Sequence, residues 1–112
     1  MFNPQEYLRT VEELKTKEMT VKCAISLIEK GMLDFARAPR LPWVELVIPA
    51  KMGEDLRTTV SERYKNGGWN MIASVQEEDE TRFVFCTNEM KVQWRNLRNA
   101  ANYKYNDWLI IE

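Results

Sequence analysis

Histidine is missing from all 112 residues. Its absence removes imidazole general bases, serine and cysteine triads that rely on them, and most transition-metal sites. An enzyme could still use Asp, Glu, Lys, Tyr or Cys, but the expectation is a protein without catalysis and without a cofactor. Cysteine is nearly as scarce, with only Cys23 and Cys86, far apart. They form no CxxC pair and no zinc-type cluster, and they read as buried thiols in a reducing compartment. A thiolate at Cys86 would need a base or a cation beside it, so an inert thiol is the plainer reading.

Net charge is also lacking. Sixteen Lys and Arg stand against 17 Asp and Glu, for a formal charge of -1. That balance fits neither a strongly basic nucleic-acid binder nor an acidic mimic of nucleic acid. Long apolar runs are absent too. The longest falls well short of the roughly 20 residues a membrane helix needs. The start, MFNPQEYLRT, has no basic-then-apolar leader. The expected setting is therefore the cytoplasm, with no membrane partner.

Large rings are plentiful: four each of Trp, Tyr and Phe. Each can bury roughly 150–250 Å², enough with the aliphatic residues to fill one core at this length. The plainer reading is core packing; the functional one is an aromatic contact surface. A single α+β domain over residues 1–112 follows, with a helical front (1–38) and a sheet-containing part (43–112).

The central segment, EDLRTTVSERYKNGGWNMIASVQEEDETRFVFCT, carries most of the fold information. Leu56, Val60 and Tyr64 recur every four residues, which predicts a helix. Glu54 and Asp55 suit its positive N-terminal end. Gly67 follows as the expected left-handed stop. Trp69, Met71, Ala73 and Val75 then alternate with polar residues, predicting a strand with one buried face. Glu77, Glu78, Asp79 and Glu80 predict a solvated turn. Phe83 and Phe85 alternate with Val84 and Cys86 in a second strand, closing an antiparallel hairpin.

Around this unit the signals are less even. Asn3, Pro4 and Glu6 open a predicted helix over 4–17, with Tyr7, Leu8, Val11 and Leu14 on one face. Thr20 caps a second helix with Val21, Ala24, Ile25 and Ile28 inward. Gly31 either stops it, with a short helix following, or is crossed at about 1 kcal/mol. These helices form an N-terminal pair. Pro39 and Pro42 enforce an extended connector. WVELVI, residues 43–48, predicts a strand covered on most of both faces. After a cap at Asn88, Met90, Trp94, Leu97 and Ala101 predict an apolar helix face. WLII, residues 108–111, is either a last strand or a docked helix end. The expected sheet has three to four strands, mixed or antiparallel. It packs against the helical pair and two further helices. If the first two strands are adjacent and parallel, the helix joining them crosses right-handedly.

Two groups are candidate contacts. Lys91, Arg95, Arg98, Tyr103, Lys104 and Tyr105 bring cations and rings together near the C-terminal end. Cations neutralise phosphates and rings stack on unpaired bases, so nucleic acid or a protein partner is the functional reading. A helix with a solvated basic side is the plainer one. Glu77, Glu78, Asp79 and Glu80 could meet a basic partner. They lack the spacing and glycine of an EF-hand calcium loop. PRLPW, residues 39–43, could be a peptide-recognition ligand, though a rigid strand entry is the plainer reading. Gly67-Gly68 follows a helix, where the dipole has the wrong sign for a phosphate.

The stretch YKNGGWNMIASV through EEDE into TRFVF resembles units in small phage-encoded accessory proteins. The likeness spans about a quarter of the chain and carries no functional residue across. It implies a compact protein that binds host or phage machinery. The leading expectation is thus a non-catalytic protein-binding module that modulates a partner, such as an inhibitor of a host factor or defence system. The alternatives are a nucleic-acid-associated protein and a structural or assembly oligomer.

Overall fold

The computed structural model describes residues 3–6, 8, 20–100 and 108–112. Residues 4–6 and 8 are helical, and the Asn3 side chain accepts the Glu6 N–H at 2.8 Å, so the first cap is in place. The remainder of the predicted 4–17 helix lies outside the described residues. The helices that follow are α1 (Val21–Arg37), α2 (Glu54–Asn66) and α3 (Asn88–Ala100). The strands are β1 (Val44–Ile48), β2 (Met71–Gln76), β3 (Thr81–Cys86) and β4 (Leu109–Ile111). They form one antiparallel sheet in the order β1-β3-β2-β4. The α+β class and the four-stranded sheet are as expected, and the WLII segment resolves as a strand at Leu109–Ile111, with Trp108 just before it.

The first two strands are not neighbours, because β3 lies between them. Likewise β2 lies between β3 and β4. Each crossover therefore steps over one antiparallel strand. β1 and β3 run in opposite directions, yet both connections step the same way across the sheet. Two such connections share one hand only if their helices lie on opposite faces, and they do. Val60 of α2 packs with Ile72, Phe83 and Phe85 on one face. Trp94 of α3 packs with Met71, Ala73, Val84 and Cys86 on the other. The two crossovers therefore share one hand.

Helix α1 joins α2 on the first face, through Ala24 and Ile28. It runs straight through Gly31. A Cβ there would meet the Leu46 side chain at 3.4 Å, so glycine lets the helix settle close on β1. Thr20 accepts the Cys23 N–H at 3.2 Å and caps α1 as predicted. Cys23 is exposed, because it falls on the outer side of α1, which corrects its reading as a buried thiol; Cys86 is buried.

At the end of α2 the left-handed residue is Gly68 (φ +120°) rather than Gly67, which stays right-handed at φ -80°. Trp69 N–H donates to Tyr64 O and Gly68 N–H to Lys65 O, the paired bonds of a Schellman stop. The stop sets Tyr64 and Trp69 both against Phe85, with ring centroids 5.0 and 5.7 Å away.

Strand β2 is buried on both faces from Met71 to Val75, because it is central and helices cover both sides. The expectation of one buried face fails there. β1 differs in the opposite sense. It is an edge strand, with Leu46 and Ile48 buried and Val47 exposed. Thr87, not Asn88, caps α3, its hydroxyl accepting the Met90 N–H at 3.5 Å. Leu97 is exposed, since α3 reaches the sheet mainly through Trp94.

Candidate functional site

One helix cannot cover four strands, and among the described residues no helix lies beneath β1 and the adjoining part of β3 on the second face. Charged residues occupy that gap. Arg82 Nη1 donates to Glu45 at 2.9 Å, and Nε donates to Glu77 at 2.8 Å. Trp43 Nε1 donates to the other Glu45 oxygen at 3.2 Å. Burial alone lowers the Arg82 pKa, but the bonds and charges of Glu77 and Glu45 reverse this and leave it raised. The four-acid turn is therefore not uniform. Glu77 folds back onto Arg82, while Glu78, Asp79 and Glu80 face solvent, with Lys51 3.8 Å from Asp79.

The predicted basic cluster is also partly engaged. Lys91 lies 3.8 Å from Glu112, and Arg95 pairs with the same carboxylate. From the other face, Lys65 donates to the main-chain oxygen of Glu112. These three cations converge on the end of β4. The Arg98 side chain, Tyr103, Lys104 and Tyr105 lie outside what the structure describes. Trp94 and Trp108 meet edge to face at 5.4 Å within the core.

Cys86 sits under α3, and burial pushes its thiol up to about 12. Arg95 and Lys91 pull the other way without reversing the shift. That is the setting of an inert thiol. Among the described residues no group of His, Cys, Asp and Glu could hold a metal ion. No helix there is long and apolar enough to cross a membrane.

A second polar cluster lies under α2. Arg57 donates to Ser74 O at 3.0 Å and to its hydroxyl at 3.4 Å. Arg57 Nε and Ser61 Oγ are buried with no hydrogen-bond partner among the described residues. Burial lowers the Arg57 pKa, opposed by Glu54.

The feature that sequence reasoning missed is a groove at the end of the sheet. It encloses about 400 Å³ and is lined by Met32, Phe35, Leu41, Trp43, Trp69 and Met90. Pro39 and Pro42 form its rim, so the PRLPW segment is a wall. These residues come from α1, the connector, the approach to β2 and the first turn of α3. No stretch of sequence contains them together. The local hint was the helical-spacing run of Met32, Phe35 and Ala36 beyond Gly31, leading into a proline-stiffened connector.

A second groove of about 390 Å³ continues from the first, sharing Phe35 and Leu41. It runs between α1 and β1, with Gly31, Asp34 and Ala38 on one side and Glu45, Leu46 and Val47 on the other. Arg40 stands at this groove, exposed and without an ion pair among the described residues.

No family model, curated protein or solved structure matches the chain.

Proposed function

We propose that this protein is a non-catalytic binding module that modulates a partner protein, with the apolar groove as its contact surface. The groove is the observation that carries the reading. Its lining is rich in Trp, Met and Phe, the side chains that favour interface anchors, and it is walled by prolines that keep it preformed. A cavity of this size accepts one or two large apolar side chains from a partner. The likeness to phage accessory proteins adds that the partner is host or phage machinery. The acids Glu78, Asp79 and Glu80 offer a second contact for a basic surface.

The nucleic-acid reading has less support, because Lys91 and Arg95 already face Glu112. The test uses Ala36→Trp, which places an indole in the groove from an exposed position on its wall. A protein that crosslinks to the wild type in lysate and is lost with this variant supports the reading. A partner retained unchanged by the filled groove sinks it.

A further inference from the structure

We infer that the partner engages as an extended segment that adds a strand to the open edge of β1 and sends an apolar side chain into the groove beyond it. This rests on the binding reading above and specifies the partner's form.

β1 is outermost in the sheet, paired on one side only, with β3. Every second residue of an antiparallel strand turns both its N–H and its C=O away from its neighbour. Along Val44–Val47 these outward groups make no hydrogen bond among the described residues. A row of unpaired backbone groups is satisfied by another extended main chain and by little else. The space for that chain is already present, since the second groove runs along this edge between β1 and α1. Gly31 and Ala38 keep its helical wall low.

A second copy of β1 is too short to be this occupant. Its own path ends at Ile48, where the Ala50 N–H turns back to Ile48 O at 2.8 Å. Two β1 strands paired with each other would leave the 400 Å³ groove empty. A longer segment pairs with β1 and continues past Val44 into the groove. Charge adds a preference. Glu45 is neutralised by Arg82, whereas Arg40 and Asp34 both line the second groove, exposed and without an ion pair among the described residues. The favoured segment thus carries an acidic residue that meets Arg40 close to its apolar anchor, and a basic residue opposite Asp34 is accepted.

The probe is a displayed library of random twelve-residue peptides, with enriched sequences resynthesised. Expected are peptides that pair a bulky apolar residue with a nearby Asp or Glu. Their binding should weaken at least tenfold with Ala36→Trp and severalfold with Arg40→Glu. The deciding arm is N-methylation of alternate peptide amides. In one register binding should fall at least tenfold, and in the other it should hold. Amide exchange in β1 should slow on saturation. Peptides that need the open groove but tolerate N-methylation in both registers overturn strand addition and leave the groove reading standing. Binding indifferent to both changes defeats the two together. An unselective library overturns strand addition alone, leaving the groove reading to the crosslinking test. Dimers in light scattering with β1 protected in the absence of peptide would assign the edge to a second copy, and overturn the inference.

Discussion

The two edges of the sheet are treated in opposite ways. β4 has three residues, and its end is gripped from both faces, by Lys65 of α2 and by Lys91 and Arg95 of α3. Short length and concentrated charge are the usual means of closing an edge to further pairing. β1 has five residues, none of them a cation, and a groove beside it. The lesson is that the charged cluster, the more eye-catching part of the sequence, serves closure, while the quieter side is left open among the described residues and is where the proposal above places a partner.

The largest test of this contrast removes what anchors the closed side. Trp94→Ala deletes a fully buried ring from the core shared with Trp108. It should lower stability by about 3–5 kcal/mol in chemical denaturation. Exchange in β4 should accelerate before exchange in β1. Equal acceleration at both edges would show that the two are not independently held.

Alkali provides the next test. Burial pushes the folded Cys86 thiol up to about 12 against an ordinary 9.0, and Tyr64, half-buried and bonded to Glu29 at 2.9 Å, is likewise raised above its usual 10.0. In both cases the unfolded chain loses its proton first. Stability is therefore intact below about pH 9 and falls as pH climbs toward 12. Cys86→Ser and Tyr64→Phe should each flatten part of that decline, read as the denaturation midpoint against pH.

Much of the scaffold was legible because period and punctuation are local signals. The Leu56-Val60-Tyr64 spacing, the two glycines and the alternating rings each report on a few neighbouring residues. Strand order is a different kind of fact. Nothing in WVELVI says that β3 will pair with it, so nothing local brings Glu45 and Arg82 together. The β1–β3 register makes them one ion pair. The same limit hid the groove, whose walls come from four stretches. Gly31 could be read as a stop or a crossing until Leu46 was found beneath it.

Arg82→Met sharpens the contrast at intermediate size. It strands Glu45 and Glu77 in a partly buried site and should cost about 1–3 kcal/mol. The loss should appear as faster exchange at the β1–β3 pair, with β4 unaffected. Glu112→Gln works on the closed side. These groups are partly solvated, so the expected loss is at most about 1 kcal/mol and shrinks further in salt. Faster β4 exchange with an unchanged β1 would confirm the grip.

Val47→Lys is the smallest perturbation. Val47 is 44% exposed on the open edge, so stability should move by no more than about 0.5 kcal/mol. A loss well beyond that would mean the edge is covered, and the comparison between the two sides would fail.

The position of the hairpin inside the sheet has a kinetic consequence. β2 and β3 pair from Gln76 opposite Thr81, five residues away, whereas Val44 finds Phe85 41 residues later and Ile72 finds Ile111 39 residues later. Loop closure favours short separations, so the central pair is positioned to form early and serve as the template. Both outer strands are then late additions to a surface already made. β1 joins that template through one side of its backbone, and its other side repeats the template for whatever segment arrives next.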